Sequence, residues 1–242
     1  MRRIGVVFLS VCVLTVFTFG MSNAQVNLKK YFTINAGVSF PMGEFGDDKG
    51  EDAGLAKMGI GLKVDFSYSF KNVHGLSWVS SSAMFMNGIN DLEIRAEMED
   101  FLYHVLAFRG GNVYLDAGRY YNFPIFTGIK FQNNFSPEVE GFGIFQAGIN
   151  IAKLPNIDMK ARVNPFSSTS NNIEATYDMA TSFGFCFGGG LVFNNRFVIS
   201  LMYYGFGKPE FDGEIKMDGR WIEKLEGEQK ISLMLFSFGI KF

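Results

Sequence analysis

Two histidines are the side chains of this sequence best suited to proton transfer at neutral pH. One of them, His104, follows a group of acidic residues that could orient its ring: Glu97, Glu99 and Asp100. A hydrolase would also need a nucleophile or an activated water beside that base, and no serine in the sequence can be paired with His104. The other, His74, lies in a predicted tight turn, where a solvated side chain is the ordinary interpretation. We therefore predict no catalytic residue and no enzyme.

Metal ions and cofactors also lack a motif. No group of histidines and cysteines has the spacing of a metal site. Four acidic residues of one predicted loop resemble a calcium-binding loop only in charge: Asp47, Asp48, Glu51 and Asp52. A solvated acidic loop is the preferred interpretation, so we predict neither a metal nor a cofactor. The net charge of −2 leaves no basic footprint, and we predict no nucleic-acid partner.

Lys63 and Asp65 are two residues apart in an alternating run, which places both on one face of a strand. The preferred interpretation is a charge pair that neutralises itself and fixes the register, and a proton or ion path is the alternative. Lys130 and Lys241 share that face in their own strands, where lumenal partners or solvent would satisfy them. Cys186 is the only cysteine after residue 24, and we interpret it as a small buried filler rather than a reactive thiol.

Eight alternating runs supply the elements that hold these side chains. The predicted strands are Phe32–Phe40, Gly59–Phe70, Leu76–Met86, Arg119–Phe131, a fifth around Phe145–Ile151, Ser182–Phe193, Phe197–Tyr204 and Ile231–Phe242. One face of each run carries large apolar residues, and the other is mostly Gly, Ser, Thr or Asn. The third run is blurred, because Trp78 favours one register whereas Val79 and Phe85 favour the other.

The choice between a barrel in water and a barrel in lipid depends on the polar face. A lipocalin-like barrel turns its apolar face inward and needs long charged residues outside. Here the residues of the polar face are small, which suits the crowded interior of a narrow barrel with lipid outside. After the N-terminus no apolar run reaches the ~18 residues of a spanning helix. We predict an all-β fold, an eight-stranded antiparallel up-and-down transmembrane β-barrel with long extracellular loops.

The links between the runs alternate in length. Short links follow strands two, four and six, and long links follow the others, as in a barrel with both termini in the periplasm. Leu92–Met98 and Ile157–Val163 also alternate, and Asp218-Gly219 is a type I′ hairpin signal. We predict that strands three to eight continue as an extracellular β-extension. For Asn90–Phe108, a short amphipathic helix is the alternative.

The N-terminal residues 1–24 have the pattern of a signal peptide. Arg2 and Arg3 precede the apolar stretch Ile4–Phe19, and small residues lead to a cleavage site between Ala24 and Gln25. Removal of this segment takes away two arginines and no acidic residue, which makes the net charge more negative. The predicted mature chain is a single domain, residues 25–242.

Three features carry a family resemblance: the leader ending at Ala24-Gln25, the strand Thr33–Pro41 followed by Gly43–Gly46, and the terminal Ser237–Phe242. With them the chain resembles small outer-membrane β-barrels of the OmpA/OmpX-like superfamily, including the barrel-domain proteins common in Bacteroidota and their PorT-like group. The resemblance implies an outer-membrane location. It also implies that the barrel-assembly machinery recognises the terminal strand through Phe238, Ile240 and Phe242. It implies no particular ligand.

Three functions remain open from the sequence. The preferred one is a non-enzymatic structural or interaction barrel whose extracellular β-loops bind a surface or envelope protein, with Tyr103 and Trp221 as candidate contacts. The alternative is a narrow pore, or an accessory component of a transport or secretion assembly. The second alternative is an enzyme that modifies lipid A through His104. In each case outer-membrane lipid and lipopolysaccharide are expected partners.

Overall fold

The computed structural model of the protein describes residues 30–49, 53–71, 73–96, 113–161 and 171–242. Within these ranges the strands, in chain order, are β1 (Lys30–Pro41), β2 (Ala56–Ser69), β3 (Leu76–Ile89), β4 (Val113–Ala117), β5 (Tyr120–Asn134), β6 (Val139–Lys153), β7 (Ile157–Ala161), β8 (Asn171–Tyr177), β9 (Met179–Phe193), β10 (Phe197–Gly205), β11 (Glu210–Met217), β12 (Arg220–Glu228) and β13 (Ser232–Lys241). A short 3-10 turn, Gly43–Phe45, follows β1.

Eight of these strands close into an antiparallel barrel. The order around it is β1-β13-β10-β9-β6-β5-β3-β2, with β2 returning to β1. Closure between the first and last strands pairs Thr33 with Lys241, and the Phe242 amide donates to the Phe32 carbonyl at 2.8 Å. The predicted fold class, an eight-stranded up-and-down antiparallel barrel, is confirmed. Short links lie at one end, here called the proximal end, and long links lie at the other, the distal end.

The outer surface of the barrel is apolar around its whole circumference. Large side chains face outward on every strand, and more than half of the surface of each of these is exposed: Ile60, Phe131, Phe145, Ile149, Phe183, Phe197 and Phe238. Their alternation with small inward residues follows from the two-residue period of a strand. A continuous apolar band of this extent is far larger than the apolar patches of water-soluble monomers, and it is the surface that a barrel presents to lipid.

The interior is mostly polar toward the proximal end and mostly apolar toward the distal end, which corrects the expectation of a polar lumen throughout. Toward the proximal end the inward residues are polar, such as Asn35, Ser67 and Gln146. Toward the distal end they form a buried aromatic and aliphatic cluster that includes Phe85, Phe126, Met202, Tyr204, Phe206, Leu233 and Leu235. The Phe85 ring lies 4.8 Å from that of Tyr204, in an edge-on contact. An interior this narrow is filled by side chains.

The cluster explains the blurred alternation of β3. Val79 and Phe85 point inward and are fully buried, whereas Trp78 points outward. The outward face of the same strand also carries Ser80, whose hydroxyl donates to the Phe126 carbonyl at 3.4 Å. A serine on the lipid side can be tolerated because a neighbouring backbone carbonyl accepts its hydrogen bond. The two faces of β3 are therefore mixed, because Val79 and Phe85 face inward beside the inward-facing Ser81, whereas Ser80 faces outward.

Five strands continue beyond the barrel as a second sheet, here called the projecting sheet, of order β12-β11-β8-β7-β4. Each follows or precedes a barrel strand directly, and their order matches that of β13, β10, β9, β6 and β5 in the barrel. The predicted β-extension is confirmed for the fourth to eighth barrel strands. The hairpin at Asp218-Gly219 is also confirmed, with φ of 50° and 76° as a type I′ turn requires.

The third barrel strand does not continue into the projecting sheet, which corrects that part of the prediction. Residues 91–96 are helical, so Leu92, Ile94 and Ala96 do not alternate across a strand. Ile94 is buried, at 7% exposure, and Leu92 is 72% exposed, as expected for two positions on different sides of a helix. The alternative, a short helix, therefore holds over residues 91–96, and the remainder of that segment to residue 112 lies outside the described ranges. Within those ranges no helix has the length and apolarity needed to cross a membrane.

Candidate functional site

The centre of the lumen holds a buried ion pair between Lys63 and Asp65. Both residues lie on β2 and face inward, with the lysine Nζ 2.9 Å from the carboxylate and side-chain exposures of 2% and 8%. Asp65 also accepts hydrogen bonds from Asn35 Nδ2 at 3.2 Å and from Ser81 Oγ at 2.5 Å. A desolvated pair is tolerated only when such additional donors complete the carboxylate shell. These hydrogen bonds connect the Lys63–Asp65 pair of β2 to β1 and β3.

The distal end of the lumen is closed by the link between β1 and β2. Phe45, in the 3-10 turn of that link, is fully buried, and its ring meets Tyr120 edge-on at 4.9 Å. The Tyr120 hydroxyl donates to the Gly54 carbonyl at 2.6 Å, and the Lys230 ammonium lies 2.9 Å from the Glu44 carboxylate. These contacts hold Phe45 against the aromatic cluster, where it closes the lumen; Phe45 and the turn that carries it are here called the stopper. We found no sequence motif for it, because Phe45 looks like any loop phenylalanine until its surroundings are known.

The proximal end instead opens into a cavity of about 750 Å³, here called the vestibule. Its lining is mostly polar and includes Tyr31, Ser77, Gln132, Glu140 and Lys241. The Lys241 ammonium lies 3.3 Å from the Glu140 carboxylate and 4.6 Å from the centre of the Tyr31 ring. The Tyr31 hydroxyl donates to the Gln132 side-chain oxygen. The barrel is thus a cup, open at its proximal end and stoppered at its distal end.

The projecting sheet has one strongly polar face. The side chains of Asp212, Lys216 and Lys224 lie on it, and the Lys224 ammonium is 2.9 Å from Asp212 and 2.6 Å from Glu226. The hydrogen bond from Lys224 to Glu226 is the main reason that the pKa of Lys224 rises above its ordinary value. Exposed pairs of this kind contribute little to stability individually, so their main effect is to keep this face hydrated.

The tip of the projecting sheet, by contrast, exposes apolar side chains. Trp221 is 62% exposed and Ile222 is 50% exposed, next to the Asp218-Gly219 turn. A register shift between Ile215 and Lys216 leaves Ile222 as the extra residue of a bulge. Trp221 pairs with Lys216 across the hairpin, so its indole lies on the polar face. Exposed aromatic residues on a rigid hairpin are typical of binding surfaces.

Other residues singled out in the sequence do not form a site within the described ranges. His74 is an exposed turn residue that lines the vestibule. Cys186 is a buried filler whose Sγ lies 3.3 Å from the side-chain oxygen of Gln146. The described part of the chain holds no group of three or more metal-ligating side chains. Asp47 and Asp48 are described, and Asp48 accepts a hydrogen bond from Asn90 at 3.1 Å.

Several predicted positions lie outside the described residues: Ala24, Gln25, Glu51, Asp52, Tyr103 and His104. The cleavage site and the candidate contact Tyr103 therefore stay predictions. The terminal residues Phe238, Ile240 and Phe242 are described, and all three are exposed on the outward face at 56%, 38% and 67%. Their role in insertion stays a prediction as well.

Comparison with known proteins gives only distant likenesses. No protein-family model matches the chain, and no curated protein matches it. Among solved structures, the chain is similar to Neisserial surface protein A, with 10% identity, a TM-score of 0.41 and coverage of 89% of this chain and 98% of that one. The chain is also similar to Ail, the attachment invasion locus protein of Yersinia pestis, with 15% identity, a TM-score of 0.40 and coverage of 88% of this chain and 99% of that one.

The chain is also similar to a major outer membrane protein from Thermus thermophilus, with 11% identity, a TM-score of 0.48 and coverage of 88% of this chain and 100% of that one. Identities and TM-scores this low transfer no function to the present chain. The assignment of a closed eight-stranded barrel rests on its own strand pairing and on the apolar belt around it.

Proposed function

We propose that this protein is an integral outer-membrane barrel, and that its barrel anchors the projecting sheet, which binds a protein partner at the cell surface. One observation carries the proposal. Five of the eight strands run on beyond the apolar belt into a sheet with exposed Trp221 and Ile222, while the lumen beneath them is stoppered. A protein that only needed a pore would not fill its lumen and extend its strands.

The outer membrane is the proposed location because of the barrel and the predicted leader together. A closed barrel satisfies every strand edge within lipid, and single-chain bacterial barrels have short periplasmic turns and longer extracellular links. The proximal end would then face the periplasm and the projecting sheet the exterior. Membrane lipid and lipopolysaccharide, the barrel-assembly machinery and a surface protein are the proposed partners. Membership of the PorT-like group stays a prediction.

Site-specific photo-crosslinking tests the proposed binding surface. A benzophenone side chain placed at Trp221 should give one discrete crosslinked product on intact cells. The same group at Tyr114, which is 69% exposed on the opposite edge strand of the projecting sheet, is the matched control and should give none. Equal products at both positions, or none at Trp221, would contradict the proposal that the tip is the contact.

A pore or transport accessory is the second candidate, and the open vestibule is the observation that favours it. Planar-bilayer recordings separate the two functions. We expect no stable openings, because Phe45 and Tyr120 close the distal end. The double variant Phe45→Ala/Tyr120→Ala is the positive control, since removing both rings thins the stopper. Stable openings of the unmodified protein would favour the pore.

Lipid A modification requires a catalytic group that no contact in the described part of the chain supplies. Comparison of lipid A by mass spectrometry between cells with the parent protein and with His104→Ala tests that alternative. We expect identical lipid A, and a difference confined to the His104→Ala cells would overturn the assignment as a non-enzyme.

A further inference from the structure

Lys130 differs from every other lysine in the barrel interior. It lies on β5, faces inward and is 4% exposed. Its ammonium lies 4.1 Å from the centre of the Phe142 ring and 4.9 Å from that of Tyr31. Lys63 and Lys241 each have a carboxylate within 3.3 Å, whereas Lys130 has no ion pair or hydrogen bond with any residue in the described ranges. Its direct contacts are these two cation–π contacts, and the Asp65 and Glu140 carboxylates act on its charge only at longer range.

Such an arrangement is costly for a protein that gains nothing from it. Burial removes the hydration of an ammonium, and two rings return only part of that free energy. An ionisable residue within a membrane-spanning barrel is therefore a candidate functional group. Lys130 also lies close to the vestibule. It is the next inward-facing residue of β5 beside Gln132, deeper in the lumen, and the Tyr31 ring that lines the vestibule covers it.

The charged side chains inside the barrel do not balance, because the lysines exceed the carboxylates by one. The inward-facing charged side chains of the eight barrel strands, all of which are described, are Lys63, Asp65, Lys130, Glu140 and Lys241. Two of the three lysines are matched by the two carboxylates. The unmatched charge is that of Lys130, and a single anionic group would neutralise it.

The vestibule has the size and the lining to deliver such a group. A volume of about 750 Å³ lies within the range of small-molecule sites. Its mouth carries two further cations, Lys30 and Lys71, against the single acidic side chain of Glu140. Apolar side chains also line it, among them Phe70, Val73, Leu76 and Phe242. A ligand with one charged end and an apolar body fits this combination.

We propose that the vestibule binds an organic monocarboxylate that enters at the proximal end, displaces the Tyr31 ring that separates the vestibule from Lys130, and pairs with the Lys130 ammonium while the apolar rim holds its body. An organic carboxylate fits better than inorganic phosphate, because its apolar body can contact the apolar rim and inorganic phosphate has no such body. This site is separate from the tip of the projecting sheet, so either can fail without the other.

Calorimetric titration of the full-length mature protein in lipid nanodiscs tests the proposal. The probe is 4-phenylbutyrate, with its neutral amide, inorganic phosphate and empty nanodiscs as controls. We expect saturable binding of the carboxylate, with the amide and phosphate each at least about tenfold weaker, the loss typical of one charge-assisted contact. Lys130→Met should lose about tenfold in affinity, whereas Lys130→Arg should retain binding.

Lys208→Met is the matched control, because Lys208 is an exposed lysine outside the barrel that pairs with Glu228 at 3.0 Å. Its affinity for the probe should equal that of the parent. A direct measurement covers the case in which a variant does not fold: the ¹⁵Nζ resonance of Lys130 in the parent protein should shift on addition of phenylbutyrate. No binding, unchanged binding by Lys130→Met, preference for phosphate, or an unshifted Lys130 resonance would each overturn the proposal.

Discussion

At the residue scale, the Lys63–Asp65 pair is the most consequential contact of the lumen. Lys63→Met removes the ammonium and leaves a carboxylate buried at 6% exposure with only Asn35 and Ser81 as donors. We expect the free energy of unfolding to fall by about 3–5 kcal/mol, because an unpaired buried charge is left behind. Urea unfolding of the protein in lipid vesicles measures the change.

Two further variants separate charge from packing in that prediction. Lys208→Met removes an exposed lysine whose pair with Glu228 is half solvated, and it should cost less than about 1 kcal/mol. The double variant Lys63→Met/Asp65→Asn keeps the acceptor shape without the charge and should recover much of the loss. If the double variant were as unstable as the single one, the pair would not be the source of the stability.

Residue-level prediction from the sequence succeeded where side-chain parity decides the answer. Lys63 and Asp65 share a face because they are two residues apart, and that rule needs no neighbour. It could not reveal Phe45 as a stopper or Lys130 as an unmatched cation, since both depend on residues more than ten positions away in the chain. Partners across a barrel are set by register, which a single sequence specifies only weakly.

At the element scale, the Asp218-Gly219 turn is the local signal on which the tip of the projecting sheet depends. Gly219 has φ of 76°, and a Cβ there would meet no atom within 4 Å. The cost of Gly219→Ala is therefore conformational rather than steric, about 1–2 kcal/mol for a left-handed residue. We expect faster hydrogen exchange of the amides in β11 and β12, as measured by mass spectrometry.

The barrel provides the internal control for that experiment. The exchange of amides in β10 and β13 should stay unchanged, because the projecting sheet pairs separately from the barrel strands that it extends. Gly227→Ala is a second comparison, since that glycine also has open space around its Cβ but no positive φ. A uniform increase across the barrel would show that the hairpin and the barrel unfold as one unit.

The bounds of a strand were predicted best where each of its two faces meets one kind of surrounding along its whole length. Strands with lipid on one side and small residues on the other, such as β9, alternate cleanly and were predicted to within a few residues. Residues 91–96 were not, because a segment this short offers too few positions to distinguish the two-residue period of a strand from the 3.6-residue period of a helix. The blurred β3 has another origin, since its inner face meets the apolar cluster at Val79 and Phe85 and polar side chains at Ser81.

At the scale of the whole molecule, the two tryptophans report on its two parts. Trp78 faces outward on β3 near the proximal end of the belt, and Trp221 is 62% exposed at the tip of the projecting sheet. The sequence contains no other tryptophan, so Trp78→Phe and Trp221→Phe each leave a single reporter. Because an aromatic ring at the belt edge would contact lipid, the two reporters should respond to different quenchers.

Fluorescence in vesicles measures this difference. The Trp221→Phe protein, which retains Trp78, should be quenched by brominated lipid and protected from iodide. The Trp78→Phe protein, which retains Trp221, should show the reverse, because an indole on a hydrated sheet meets water and not acyl chains. Iodide quenching of both to the same extent would mean that water wets the phenylalanine-bearing surface, and the barrel would then have to be soluble. Brominated-lipid quenching of both would instead place the projecting sheet in the bilayer and remove it as a binding surface.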